Sequence, residues 1–366
     1  MYDFLVVGAG PFGATFAHLA ANSGKRVLVV EKRNHLAGNT YTKDIEGIRV
    51  HWYGPHIFHT SNDEVWRFVN RFAAFNHYIN SPIANVRGKI YNLPFNMNTF
   101  YQIWGESDPG KVQEIIASQT IEYQNHEPRN LEEQALKLVG RDIYHLLIEN
   151  YTAKQWGRNA TELPAFIIKR LPLRFTYDNN YFSDKYQGIP IGGYTRMTAN
   201  MLAGIEVRLG IDFLEQRAYF ESIADKIIYT GSVDGFFDNK FGQLEYRTLE
   251  FEHALLPMAN YQGNAVVNYP DADVPYTRII EHKHFEFGTQ PYTYISRESS
   301  HAYNPGRERY YPINDEENNR RYEQYAGYSK LFPKYVFGGR LGDYKYYDMH
   351  IVIQKAMDLW QQHEHC

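Results

Sequence analysis

The stretch FLVVGAGPFGATFAHLA, residues 4–20, constrains the fold more than any other part of the chain. A short β-branched run ends at Gly8, and Phe12, Phe16, Leu19 and Ala20 then recur at helical spacing over 11–22. A second apolar run, RVLVV, leads into Glu31. Between strand and helix, Gly8, Gly10 and Gly13 stand in G-x-G-x-x-G spacing. Gly8 permits the tight turn, Gly10 lets a pyrophosphate approach the backbone, and Gly13 allows close packing of helix on strand. The free N–H groups at the helix start face the phosphates. Glu31, eighteen residues past Gly13, stands where a carboxylate accepts ribose hydroxyls. A glycine triplet alone reads equally as a tight turn in an α/β protein. With its flanking pattern it predicts a dinucleotide site.

Three further features favour FAD over NAD. KRNHLAGNTYT, past Glu31, is a basic, polar, glycine-containing loop suited to a diphosphate and a flavin. DKIIYTG at 225–231 reads as a late strand returning to the same sheet. KYVFGGR near the end reads as a final strand, followed by a loop and the last helix, within which GGRLGDYKYYDMH (338–350) concentrates glycines, an arginine and tyrosines. A helix start beside the flavin pyrimidine favours the negative charge of a reduced flavin.

At 366 residues the chain is long enough for two or three structural units. Its only cysteine, Cys366, excludes an intramolecular disulfide and dithiol chemistry and fits a reducing cytoplasm. A net charge of −4 argues against non-specific attraction to nucleic acid. The first twenty residues lack the basic start of a signal peptide, and no apolar run reaches membrane-spanning length. No second G-x-G-x-x-G follows a strand, so no separate pyridine-nucleotide domain is expected. Tyrosines (31) and phenylalanines (22) are abundant, which suits both sheet packing and sugar or nucleotide surfaces.

Residues 98–170 read as helices, with Asn130 and Glu133 in capping-box spacing. Residues 244–287 read as antiparallel strands, including AVVNY and TRIIEHKHFEF. The expected fold is α/β, a Rossmann-like FAD-binding domain with an inserted helical bundle and an antiparallel β-sheet domain. The expected boundaries are 1–75, 188–242 and 318–366 for the FAD domain, 96–168 for the helices, and 76–95, 169–187 and 243–317 for the sheet domain with a lid.

Over essentially its whole length the chain resembles the bacterial UDP-galactopyranose mutase family. The resemblance is carried, in order, by GAGPFGA, EKRNHLAGNTYT, GPHIFHT, NLPFNMNTF, NLEEQA, YTAKQWGR, LPAFIIKR, DNNYFSDKYQGIP, VPYTRIIEHKHF, YYPIND and GGRLGDYKYYDMH. It implies interconversion of UDP-galactopyranose and UDP-galactofuranose, a change of ring size without net oxidation, with galactofuranose destined for cell-surface polysaccharide. In that family N5 of reduced FAD attacks the anomeric carbon, UDP leaves, and the ring recloses on another hydroxyl. Reduction by a donor such as NAD(P)H then only activates the enzyme. A homodimer is implied as well.

The resemblance also implies roles for residues. Arg170, Arg278 and Arg340 match the arginines that hold the diphosphate and stabilise departing UDP, with Arg340 shared with the flavin. Tyr151, Thr152 and Trp156, with Leu147, match the uracil pocket; the plain alternative is a core cluster at a helix end. Tyr181, Tyr311, Tyr346, Asn80 and Asn268 match contacts to diphosphate and sugar. The cofactor set is Gly8, Gly10, Phe12, Gly13, Glu31, Lys32, Asn39, His56, Ile57, Arg340, Tyr347, Asp348 and Met349. Asp348 is expected to cap the last helix, and a lid over 165–185 to close on UDP carrying Arg170.

His56 and His59, three apart, suggest a metal pair, but no third ligand of suitable spacing accompanies them and the family uses none. His56 is expected against the flavin and His59 facing the sugar. The rival enzyme reading is an FAD oxidase of the amine-oxidase type. The rival non-enzymatic reading is a nucleotide-binding scaffold.

Overall fold

The structure is a computed structural model and describes residues 1–125, 127–168 and 173–364. It divides into two compact units, 1–77 with 184–246 and 309–366, and 78–183 with 247–308.

The first unit is built on a parallel sheet of five strands in the order Tyr335–Phe337, Ala224–Tyr229, Tyr2–Val7, Val27–Glu31, Glu206–Leu209. The strands expected near each end and at 225–231 are therefore neighbours, although the chain leaves and returns twice. Strand Val27–Glu31 is buried along its length, as a parallel strand covered on both faces must be. Helices Pro11–Asn22 and Met349–Glu364 meet through Phe16 and Trp360, whose rings pack edge-on against each other (5.7 Å) and against Phe4 (5.3 and 5.9 Å).

Two backbone details explain conspicuous sequence features. Gly8 holds φ +108°, and a Cβ there would sit 2.1 Å from the Thr230 hydroxyl, which itself donates to the Val7 carbonyl (2.7 Å). Thr230 thus closes the glycine turn. The paired glycines at 338 and 339 make room for Phe12, since a Cβ on Gly338 would lie 2.4 Å from its ring.

The second unit carries an antiparallel sheet in the order Tyr246–Leu256, Thr293–Ala302, Arg278–Glu281, Val266–Asn268, Ile83–Val86, Lys89–Asn92, with one parallel pairing between Val266–Asn268 and Ile83–Val86. The helices of 96–168 belong to this same unit and not to a separate body. Their apolar faces (Phe100, Val112, Leu136, Ile143) share one core with Ala84, Val86, Tyr91 and Phe95. Two local expectations need correction. TRIIEHKHFEF is a strand only over Arg278–Glu281 and then turns into a 3₁₀ helix at His282–Glu286, where the Lys283 ammonium gathers the carbonyls of Ala259, Gln290 and Tyr292. Asn130 caps helix Leu131–Val139 through the Glu133 N–H (3.0 Å), but the box is not closed: Glu133 accepts from the Arg129 N–H (2.9 Å), drawn one residue further by the Arg129 guanidinium.

His282 is wholly buried, with Nε2 2.6 Å from Ser296 Oγ, which also meets His253 Nδ1 at 2.7 Å. Burial, and secondarily His253, push its pKa down to about 3. A folded pKa below the unfolded value of 6.5 means stability that is full above pH 6.5 and lost as pH falls toward 3. At roughly 1.4 kcal/mol per pH unit, about 2 kcal/mol should be gone by pH 5. His282→Gln is expected to flatten the dependence of Tm on pH between 7 and 5; an unchanged slope would rule His282 out as its source.

Candidate active site

In the second unit the helical segment from Tyr144 to Trp156 begins with a π-helical turn, Tyr144–Ile148, and continues as an α-helix, Glu149–Trp156, ending at Gly157 in the left-handed conformation. The extra residue of a π turn re-aims the side chains around it, and such turns gather at functional sites. Leu147, Ile148, Tyr151, Thr152, Gln155 and Trp156 therefore form one wall of a cavity of about 310 Å³, at the lower end of sizes that hold small ligands. Asn268, Pro270 and Tyr181 line it too, as do Phe95, Ile167 and Ile168. Lys154 fixes the two walls together: its ammonium reaches the carbonyls of Tyr269 (2.5 Å), Asp271 (2.8 Å), Val274 (3.1 Å) and Tyr276 (3.1 Å). Partial burial lowers its pKa to about 8.

Polar groups enter along a single row across the sheet. Asn268 pairs with Arg278, and Arg278 with Glu298, on three successive strands. Arg278 Nε donates to Glu298 Oε2 at 2.7 Å, and the Glu298 side chain is fully buried. Glu298 Oε1 and Asn268 Oδ1 are buried with no hydrogen-bond partner among the described residues. Tyr151 joins the row: burial pushes its phenol up to about 12, while the Arg278 charge pulls the other way and Glu298 and Tyr181 add to the rise. Six of the residues expected at the substrate thus line one cavity, and Arg278 acts on one of them electrostatically. Asn80 is buried outside the cavity lining and accepts the Tyr181 N–H on its carbonyl (2.7 Å). Arg170 lies outside the described residues.

Sequence reading missed Glu298, Gln155, and Ile167 and Ile168. Glu298 had a signal: it sits in a run, Thr293 to Ala302, whose first four residues are all buried, so a carboxylate there needs a cationic neighbour across the strand.

The first unit holds the other set. Glu31 is buried at the end of its strand, where one carboxylate oxygen accepts the Ala9 N–H (2.8 Å) and the other the Arg33 N–H (2.9 Å). This ties the acidic residue to the glycine turn. Gly10 precedes helix Pro11–Asn22 with no side chain capping it, so the first N–H groups remain available to an anion. Asn39 accepts from the Arg33 guanidinium (2.9 Å), Lys32 pairs with Asp212 (2.9 Å), and the His56 ring bonds the Gly54 carbonyl (2.7 Å), with Ile57 next to it. Arg340 donates to the Tyr310 carbonyl (2.7 Å) and lies over the rings of Tyr346 (4.9 Å) and Tyr311 (5.7 Å). Its Nε is buried without a partner among the described residues. Tyr347 donates to Asp343 (3.0 Å), whose carboxyl is raised by burial. The Asp348 carbonyl accepts the Val352 N–H (3.1 Å) where helix Met349–Glu364 begins.

Comparisons with known proteins agree with both halves. A family model described as UDP-galactopyranose mutase matches residues 146–346, more than half of the chain. One described as an NAD(P)-binding Rossmann-like domain matches 6–72. An Escherichia coli protein named dTDP-fucopyranose mutase is 39% identical over 99% of this chain and 98% of its own length. A Klebsiella pneumoniae protein named probable UDP-galactopyranose mutase is 38% identical over 97% and 93%. The fold agrees with that of a reduced UDP-galactopyranose mutase (TM-score 0.73, 14% identity, 98% of this chain and 93% of that one). The turn that Thr230 closes and the cavity that Lys154 braces thus lie in a member of the UDP-galactopyranose mutase family, a family of isomerases.

Proposed function

We propose that the protein converts UDP-galactopyranose to UDP-galactofuranose and back, with FAD as its cofactor in the reduced state. The observation that carries this reading is the cavity of the second unit, where a half-buried tyrosine, a tryptophan and an unsatisfied asparagine oxygen lie beside an arginine held by a buried glutamate. Tyr151 and Trp156 offer flat faces to a pyrimidine base, Thr152 and Asn268 offer hydrogen bonds to its edge or its ribose, and Arg278 offers charge to the diphosphate. In the first unit the uncapped helix start, Glu31 and the Arg340 Nε suit a dinucleotide's pyrophosphate, ribose and ring. Reduced FAD, when bound, supplies the nucleophile for the anomeric carbon. The chain's own residues hold the leaving diphosphate, orient the sugar and exclude water from a carbon that would otherwise be hydrolysed. Arg170 is proposed as a second diphosphate ligand, and the segment 165–185 as a lid.

The E. coli relative favours a second reading, dTDP-fucopyranose as substrate. Thymine adds one methyl to uracil, and the walls near the base are apolar (Leu147, Ile148, Ile167, Ile168). An apolar pocket discriminates one methyl by only about 1–3 kcal/mol. The test is a ring-size assay: each furanose nucleotide is incubated with dithionite-reduced protein, and with oxidised protein as control. Conversion to the pyranose only after reduction is the expected result, and the faster substrate decides between the readings. No conversion of either by reduced, flavin-loaded protein would refute both. UDP is also expected to quench tryptophan fluorescence, and Trp156→Phe to remove most of that quench while weakening UDP binding about tenfold.

A further inference from the structure

In the second unit, strands Val266–Asn268 and Arg278–Glu281 are joined by the loop 269–277, so Asn268 and Arg278 stand at the loop's two ends. Four of its carbonyls, those of Tyr269, Asp271, Val274 and Tyr276, converge on the Lys154 ammonium. We propose that Lys154 is a positioning residue for the nucleotide sugar, a resident cation on which this loop closes to form the cavity's second wall. The four carbonyls then form a cage that takes a potassium or ammonium ion once the lysine is removed. This rests on the nucleotide-sugar reading and deepens it.

Three observations support it. The first is the number of acceptors. An ammonium carries three N–H groups, yet four carbonyl oxygens lie 2.5–3.1 Å from Nζ. Oxygens gathered so closely repel one another, and a positive charge at their centre holds them in that shape. Burial works against that charge, while the carboxylates of Asp271 and Asp273 favour it. The second is the loop's own bonding, which does not reach the helix. The Tyr269 N–H meets the Thr277 carbonyl (2.9 Å), and the Val274 N–H meets the Asp271 carbonyl (3.3 Å). Lys154 carries the loop to helix Glu149–Trp156. The third is that the neighbouring parts are secured separately. The helix end is held at the Gln155 carbonyl by Arg247 Nε (3.0 Å) and the Ser300 hydroxyl (2.5 Å), and Arg278 is held by Glu298.

Loss of the Lys154 charge should therefore release the loop, and Pro270 of the cavity lining with it, while the aromatic wall and the Arg278 guanidinium stay in place. Binding weakens and the chemical step survives, so KM rises without an equal fall in kcat. Carbonyl cages are also what proteins use to replace the water shell of potassium, and the ammonium ion is close to potassium in size.

The experiment uses the full, flavin-loaded chain in the ring-size assay. Lys154→Ala is expected to raise KM at least about tenfold and to leave kcat within about threefold. Potassium or ammonium chloride should bring KM back toward the wild-type value. Lithium or tetramethylammonium chloride at equal ionic strength should not, because a packing defect has no preference among ions. Lys283→Ala is the control: it also strips an ammonium from gathered carbonyls, away from the cavity lining, and should leave KM unchanged. If an alanine variant does not fold, Lys154→Gln and Lys283→Gln carry the KM comparison. An unchanged KM in the Lys154 variant would overturn the proposal, as would an equal rise in the Lys283 variant. So would kcat falling as far as kcat/KM, rescue by no ion, or rescue that lithium matches. Wild-type protein that converts neither furanose nucleotide would instead refute the nucleotide-sugar reading. Hydrogen exchange of the 269–277 amides then decides on the cage: faster exchange in Lys154→Ala, slowed again by potassium, supports it, and exchange that neither change moves overturns it.

Discussion

Arg278→Ala is expected to lower kcat/KM for the nucleotide sugar by about 10²–10³-fold and to destabilise the protein by about 3–5 kcal/mol. Both effects trace to one contact, the 2.7 Å hydrogen bond from Arg278 Nε to a carboxylate that is 0% exposed. Alanine would leave Glu298 charged, buried and unpaired, and the larger part of the stability loss is that uncompensated charge. The double variant Arg278→Ala, Glu298→Gln separates the two roles. It should recover most of the stability, measured by urea unfolding, because a neutral amide no longer demands a cation. It should not recover turnover, because the guanidinium proposed to hold the diphosphate is still missing. Turnover returning along with stability would mean that Arg278 only supports the sheet and leaves substrate alone. Arg278→Lys is the complementary case. It keeps the charge but loses the forked geometry, so stability should fall less than activity.

The second large effect is predicted for Gly13→Ala, which should leave the purified protein with a small fraction of the flavin proposed as its cofactor. An added methyl would lie 2.0 Å from the Gly8 carbonyl oxygen and 3.0 Å from a Val6 methyl. Neither can yield easily. Gly8 O belongs to the turn that Thr230 closes, and Val6 is fully buried in the central strand. Either the helix start moves away from the phosphate position or the turn opens, and both dismantle the cofactor grip. The measurement is the ratio of flavin absorbance to protein in freshly purified material. Gly327→Ala makes the contrast: it lies inside helix Glu316–Ser329 with nothing within 4 Å of the new methyl, and it should stabilise by about 0.5–1 kcal/mol. The same substitution is thus expected to have opposite signs, and full flavin in Gly13→Ala would show that the turn tolerates what its geometry forbids.

What could be read in advance follows from locality. The glycine turn, its helix and Glu31 lie within thirty residues, and their geometry is a matter of backbone sterics and short-range spacing, so the pattern was legible in the chain alone. The same holds for Tyr151, Thr152 and Trp156, which share one helical segment and turn up on one cavity wall. The split of the first unit's parallel sheet was also readable, because short buried runs such as those at 225–231 and 335–337 leave few places to pack. The helical and antiparallel regions were harder to place. Whether they make one core or two depends on which apolar faces meet, and that is not encoded in either region by itself.

By itself the sequence determined the glycine turn, the return of the chain's later strands to its first sheet and the identity of the family, because each rests on short motifs whose residues act where they stand. Only the tertiary structure decided the rest. It set Glu298 opposite Arg278 by strand register, used Lys154 to brace a helix against a distant loop, and packed Phe12 onto Gly338. It also placed His350 beside His59, their ring centres 5.1 Å apart. The physical reason is common to all four. A buried charge, a close approach or a ligand set is satisfied by whatever is near in space, and in a chain that leaves and re-enters its first sheet, nearness in space has little to do with nearness in sequence.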